Sequence, residues 1–424
     1  MSGLGALVLI VRRSLRQHAL STSITVLSAA LASGLVMAVF AVAAQSRAAF
    51  AGGPVGFDAV LGARGSQTQL VLNTVFHLET SPGNIPWSMY TALQEDRRVE
   101  LAIPYAVGDN YKGFRIVGTT SKIFTEFQYV EGRTFEFVGY GEPFDEALRE
   151  AVIGSEVARS LGLKRGDTFQ PYHGLAYREG LSQQHSEQYL ITGVLKPTNS
   201  PSDRVIWIPI EGIFRMGGHV LRGTGEEYTA QAETSIPDEH KEISAVMLKF
   251  RGKPIVGRTL QYEVNSQGKA ATLAWPIADV VAQLFNKLGW VNRILELVAY
   301  LVVAVAGGSL LSSLYNTMNE RRREFAILRA LGARRRTVFA AIVLESTTIA
   351  TLGSLVGFAV YGGIMTVAAA IVRERTGVVL EVFAGHPSLL YTPIAMVVVG
   401  ALSGLLPARK AYSTDVASTL SRVL

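Results

Sequence analysis

Asn316-Thr317-Met318-Asn319-Glu320-Arg321-Arg322-Arg323-Glu324-Phe325-Ala326-Ile327-Leu328-Arg329-Ala330-Leu331-Gly332-Ala333 stands between two long apolar runs, and its reading decides the fold. The polar residues 319–324 lead into a short helix. Phe325, Leu328 and Leu331 recur at i, i+3 and i+6 with Ile327 beside them, which makes one apolar stripe. Arg321, Arg322, Arg323 and Arg329 supply a basic side, with Glu320 and Glu324 among them. Asn319 has the chemistry of an N-cap, and Gly332 stands where helices end in a left-handed cap. A loop that only fixes topology by its charge needs no Phe, Ile or Leu at helical spacing. The stripe calls for a partner, either the membrane surface or a groove in another protein.

The chain has 424 residues, 49% of them apolar and 17% charged, with a net charge of +6. The apolar excess is uneven, which predicts membrane spans beside a soluble portion. The arginines cluster beside apolar runs, as a topology signal does, so no nucleic-acid partner is expected. The absence of cysteine excludes disulfides, thiolate catalysis and Cys-based zinc sites.

Residues 1–20 carry Arg12, Arg13 and Arg16 and read as a cytoplasmic N-terminus. Residues 21–44 are long enough to cross a hydrocarbon core of about 30 Å. Ala41-Val42-Ala43 offers a signal-peptide cleavage site, but the apolar stretch exceeds a signal h-region and predicts an uncleaved anchor. From 45 to 275 the hydropathy falls, and Gly, Pro and charges become common. Short strands are predicted at 57–61, 114–118, 189–195, 205–210 and 245–250, with helices at 86–95 and 155–163. This is a mixed α+β extracytoplasmic domain.

Residues 276–318 read as one helix of about 60 Å, twice the hydrocarbon thickness. Its first half, with Ile277, Val280, Val281, Leu284, Phe285 and Leu288 on one face, is expected to project from the membrane as a packed stalk beneath the external domain. A separate surface helix broken at Gly289 is the alternative. After the basic segment 319–336 come a third span at 337–371, an external loop at 372–388, a fourth span at 389–408 and a cytoplasmic tail at 409–424. Lys and Arg number three before the first span, seven between the second and third, and three in the tail, which puts both termini in the cytoplasm. Gly353-x-x-x-Gly357 permits close helix approach. Glu345 is an acid within a span and suggests function by default, although snorkelling or pairing with an Arg of the basic loop would also account for it.

Glu320 to Ala333 resembles the cytoplasmic signature of FtsX-like permeases, the family of MacB-type exporters, lipoprotein-release permeases and the cell-division permease FtsX. Residues 151–210 are similar to the MacB-like periplasmic core domain, and 99–131 fit it more loosely. Leu406 to Ala417 resembles the family's C-terminal signature, with Val416 where the family usually has Pro. The resemblance implies an α-helical membrane protein with four transmembrane helices and a large mixed α+β domain between helices 1 and 2. It implies that the segment with Glu320, Arg321, Arg322, Arg323, Glu324, Phe325, Ile327, Leu328, Arg329, Leu331 and Gly332 is a coupling helix docked on an ABC ATPase. It gives Glu345 a structural or coupling role beside Gly353 and Gly357.

No Gly-x-x-x-x-Gly-Lys-Ser/Thr occurs, so ATP and Mg are expected in a partner ATPase, present in two copies, and not in this chain. Leu402-Ser403-Gly404 echoes an ABC signature inside an apolar span and reads as coincidence. No hydrolase motif occurs, so no catalytic residue is expected. His173, His185, His219 and His240 fit no standard ligand spacing, which predicts exposed loop histidines and makes a metal site the lesser alternative. The loops 172–186 and 217–239 match nothing recognised. The implied partners are a second copy of this permease, the ATPase, membrane lipid, and a periplasmic adaptor or substrate-binding protein. The implied location is the inner membrane, with the large domain in the periplasm. Three functions fit: MacB-like export, lipoprotein release, and FtsX-like regulation of a wall hydrolase without transport. The size of the external domain argues against the last.

Overall fold

The computed structural model describes residues 3–51, 56–217, 219, 221–223, 236–252, 254–287, 289–320, 322–330, 332–382 and 384–412. The chain divides into two compact units. One comprises residues 1–46, 288–371 and 380–424, the other 47–287 and 372–379.

The first unit is helical. It holds α1 (Gly3–Gln17), most of α2 (Ala19–Ala51), α10 (Gly289–Glu320), α11 (Arg322–Ala330), most of α12 (Arg335–Thr376) and α13 (Ser388–Tyr412). Among the described residues α2, α10, α12 and α13 are long and apolar enough to cross a membrane.

The second unit is built on one mixed sheet. Its strands are β1 (Ala59–Ala63), β3 (Val99–Tyr111), β4 (Phe114–Thr119), β5 (Glu150–Ile153), β6 (Thr168–Phe169), β7 (Tyr172–His173), β8 (Tyr189–Val194), β9 (Val205–Pro209), β11 (Ala245–Phe250) and β12 (Ala271–Ala274). The order is β12-β1-β11-β3-β4-β9-β5-β8-β6, with β7 added to one end of β3, while β2 (Ile85–Pro86) and β10 (Glu242–Ile243) form a separate pair. The β4/β9 and β5/β8 pairs are parallel, and the other pairs are antiparallel.

Side-chain alternation explains why these strands read as continuous apolar runs. Leu61, Ile153, Ile206, Ile208, Val246 and Leu248 enter one core. Their neighbours Val60, Val152, Val205, Trp207, Ala245 and Met247 enter another. Successive residues face opposite sides of a pleated strand, so both faces of the sheet are covered. The first core is closed by residues of α4 (Trp87–Glu95), α6 (Ser155–Leu161), α7 (Ile210–Phe214) and α8 (Ile255–Tyr262). The second is closed by α3 (Gln67–Thr74), α5 (Lys122–Thr125) and α9 (Ile277–Lys287).

The helix expected over 276–318 is described as α9 and α10, with Leu288 between them outside the described residues. The apolar face of α9 packs on the sheet: Ile277, Val280 and Val281 are buried in the second core, because that is where an amphipathic helix places its apolar stripe. Gly154 occupies the N-cap position of α6, which ends in a left-handed glycine, Gly162, at φ +68°.

Candidate functional site

The segment singled out first folds as α11. Gly332 caps it with φ +100°, and its N–H donates to the Arg329 carbonyl at 3.0 Å. Asn319 is not its N-cap, because α10 continues through that residue to Glu320. Arg321 and Leu331 lie outside the described residues, as do the side chains of Arg322, Arg323 and Leu328. The apolar stripe is divided. Phe325 is buried against Val338 and Ile342 of α12 and Ala408 of α13, with Phe339 and Val343 around it. Ile327 is 42% exposed. Phe325 thus packs on its own chain. Its side chain points into the helical unit because α12 and α13 supply the apolar surface closest to it. Glu320 is exposed, and Glu324 accepts a hydrogen bond from Gln17 Nε2 of α1 at 3.4 Å.

Behind α11 the helices are held by small residues and buried polar pairs. Glu345 is buried, and Ser14 Oγ of α1 donates to its Oε1. The sequence offered an Arg of the basic loop as the partner. It missed Ser14, because α1 lay in a stretch read only for its charge. A Cβ on Gly353 would lie 2.5 Å from Ala29 Cβ, and one on Gly357 3.0 Å from Ser33 Cβ, so α2 and α12 cross at the Gly-x-x-x-Gly stretch. Ser403 Oγ donates to the Gly307 carbonyl at 3.2 Å, and Gly404 lies against Ser346. These packing contacts account for Leu402-Ser403-Gly404 without any nucleotide chemistry.

The second unit gathers residues that local spacing could not. Asp109 of β3, His173 of β7, His185 and His219 have ligand atoms all within 4.8 Å of one another. Asp109 and His185 are buried, and His173 is exposed. This corrects the expectation of exposed loop histidines, for which His240 is a separate case: its Nδ1 pairs with the Arg222 carbonyl at 2.8 Å. Burial alone would raise the Asp109 carboxyl, but hydrogen bonds from His185 and His219 outweigh it and bring it down to about 2. Burial would lower the His219 ring, yet the bond and charge of Asp109 leave it above its ordinary value. Asp109 was missed because a single carboxylate in a strand carries no motif. The break of Gly108-Asp109-Asn110 in an otherwise apolar strand was the available signal.

Residues 296–416 match the FtsX-like permease C-terminal model, and residues 22–246 match the MacB-like periplasmic core domain model. The chain is 28% identical over 286 residues to the uncharacterized ABC transporter permease YknZ of Bacillus subtilis, covering 60% of this chain and 65% of that one. It is 29% identical over 302 residues to the pyoverdine export ATP-binding/permease protein PvdT of Pseudomonas fluorescens, covering 67% and 40%. The chain thus spans 65% and 40% of these relatives' own lengths. A solved structure of the periplasmic region of MacB from Actinobacillus actinomycetemcomitans aligns with 55% of this chain and 94% of its own, at 11% identity and a TM-score of 0.33.

Proposed function

Because the chain belongs to the family of FtsX-like permeases with a MacB-like periplasmic core domain, we propose that it is the transmembrane subunit of an ABC transporter that couples ATP hydrolysis in a partner ATPase to motion of its extracytoplasmic domain. No phosphate-binding loop occurs in these 424 residues, so the nucleotide chemistry is assigned to another component. The arrangement carrying this reading is α11, a short helix with one apolar side chain buried in its own unit and another exposed. The exposed Ile327 is offered to an apolar groove of the ATPase, and the basic character of the 319–336 sequence suits an acidic surface there. Phe325 ties the helix to α12 and α13. A push received on the outer face is then delivered to two membrane helices, which is what a coupling element requires. Closure of an ATPase dimer on ATP would supply the push. Two copies of this chain would accept it.

The motion does work on a substrate already outside the cytoplasm, by export or by extraction of a lipoprotein. The extracytoplasmic unit spans residues 47–287, too large for an FtsX-like regulator to be preferred. The basic segments around α1, α11 and the end of α13 are assigned to the cytoplasmic side of an inner membrane.

The test is co-purification from native membranes in mild detergent, comparing wild type with the double variant Ile327→Asp/Arg329→Glu. A P-loop ATPase that accompanies the wild type and is lost from a folded double variant supports the reading. An intact wild-type chain with no ATPase, or a double variant that retains it fully, overturns the docking role of α11. The company of the ATPase separates the functions: an adaptor or outer-membrane channel means export, and lipoproteins mean extraction.

A further inference from the structure

We propose that Asp109, His173, His185 and His219 form a binding site for one divalent transition-metal ion, zinc in preference, on the extracytoplasmic domain. This site stands independently of the transporter reading.

The geometry is that of a coordination shell. From Asp109 Oδ1, His185 Nε2 lies at 3.1 Å, His219 Nε2 at 3.3 Å and His173 Nδ1 at 3.7 Å. An ion bonded tetrahedrally at about 2.0–2.1 Å holds its ligands about 3.3 Å apart. The three imidazole centroids are 5.4, 5.4 and 5.5 Å apart with planes inclined by 62–85°, a near-equilateral set whose nitrogens converge and whose rings do not stack.

A hydrogen-bonded cluster is the competing account, and two observations count against it. His219 Nδ1 lies 3.0 Å from the Ile213 carbonyl, a contact that requires the proton on Nδ1. Donation from Nε2 to Asp109 as well would need a positive charge at this point, either the imidazolium itself or a metal ion; in the neutral ring the Nε2 lone pair faces a carboxylate oxygen, and a metal ion between them satisfies both. Three imidazoles also converge on Oδ1, while Oδ2 of the fully buried Asp109 has no hydrogen-bond partner among the described residues. A carboxylate satisfied by hydrogen bonds alone would use both oxygens.

The fold positions the ligands from behind. The β3/β4 register slips between Val107 and Asn110, a bulge that re-aims Asp109. Asp109 pairs with His173 across the β3/β7 ladder. The His173 N–H donates to the Gln183 carbonyl at 2.8 Å and the His185 N–H to the Pro171 carbonyl at 2.9 Å, so one small hairpin presents two rings. The Ile213 carbonyl fixes the His219 tautomer, as outer-shell partners of metal-ligating histidines do. A cavity of about 380 Å³ touching Gly108, His173, His219 and His240 gives the ion an entry path. Three imidazoles and a carboxylate, without thiolate, suit zinc and its neighbours copper, nickel and cobalt, and do not suit calcium or magnesium. The ion would tie the two loops that match nothing recognised to the central strand of the sheet.

The experiment uses the full chain in detergent, stripped with EDTA and titrated with zinc by calorimetry, with metal content checked by mass spectrometry. Cobalt(II) serves as the spectroscopic probe. One zinc per chain and the visible d–d bands of tetrahedral cobalt are expected. Asp109→Asn and His185→Ala should each weaken zinc at least about 100-fold. His173→Ala, at a half-exposed ligand, should fold normally and still lose at least about tenfold. His240→Ala, at the cavity but outside the shell, should bind as the wild type does. A stripped wild-type chain that takes no zinc overturns the proposal, and so does a folded His173→Ala variant whose affinity and cobalt spectrum are those of the wild type.

Discussion

Gly353→Val and Gly362→Val place the same side chain at two positions of α12, and the expected effects have opposite signs. At Gly353 the new Cβ would lie 2.5 Å from Ala29 Cβ and 3.1 Å from the Val26 carbonyl oxygen. Carbon atoms in contact prefer about 3.5–4.0 Å. The crossing of α2 and α12 must therefore open by roughly 1 Å, before the two valine methyls are accommodated. Overpacking of this kind costs about 1–3 kcal/mol. Replacing a helical glycine returns only a few tenths of a kcal/mol in backbone propensity. The net change at Gly353 is a loss of about 1–3 kcal/mol. At Gly362 an added Cβ meets nothing within 4 Å, so only the propensity gain remains. The measurement is the apparent melting temperature of the full chain in detergent, followed by size-exclusion chromatography. Gly353→Val should melt clearly below wild type and Gly362→Val at or above it. Equal shifts, or an unchanged Gly353→Val, would refute the close crossing.

Phe325→Ala should lower the melting temperature through a loss of about 3–5 kcal/mol, whereas Ile327→Ala should stay within about 0.5 kcal/mol of wild type; similar losses at both would contradict the division of the stripe. Ser14→Ala removes a donor to the buried Glu345 carboxyl and should cost about 1–3 kcal/mol in the same assay; no change would mean that the pair contributes nothing to stability. Burial opposes ionisation of Glu156, but hydrogen bonds from Arg159, Arg373 and Ser160 outweigh it and hold the carboxyl below its usual range. A lowered folded-state value means that the stabilisation is complete above the unfolded carboxylate value of about 4.3 and is lost as pH falls through the folded one. Melting curves taken between neutral pH and pH 3 should show a shallower acid decline in Glu156→Gln than in wild type, and parallel declines would count against the network.

What could be read in advance depended on whether the cause was local. Gly332 was legible because a helix end that needs φ of +100° selects glycine wherever it occurs. The Gly353/Gly357 crossing was legible for a similar reason. The inward turn of Phe325 was not, since periodicity reveals a stripe without saying what covers it. Nor was the fate of α9: its apolar face suits a stalk or a core equally, and a sheet assembled from β1, β11 and β12 takes it. β3 was missed as a strand because Pro104 and the Gly108-Asp109-Asn110 break interrupt its apolar run, although it lies centrally in the sheet. The histidine cluster lay furthest out of reach. Asp109 meets His185 across 76 residues of chain and His219 across 110, whereas motif spacing captures only ligands that share a turn or a hairpin.

The chain passes between its two units four times, at 46/47, 287/288, 371/372 and 379/380. The last two passages flank residues Val372–Val379, which the second unit claims through named bonds. Arg373 Nε donates to the buried Glu156 carboxylate at 2.8 Å, and the Val379 N–H donates to Asn199 Oδ1 at 2.5 Å. The second unit is thus discontinuous in sequence. A fragment cut to residues 47–287 would leave the buried Glu156 without Arg373, and Asn199 Oδ1 without the Val379 N–H.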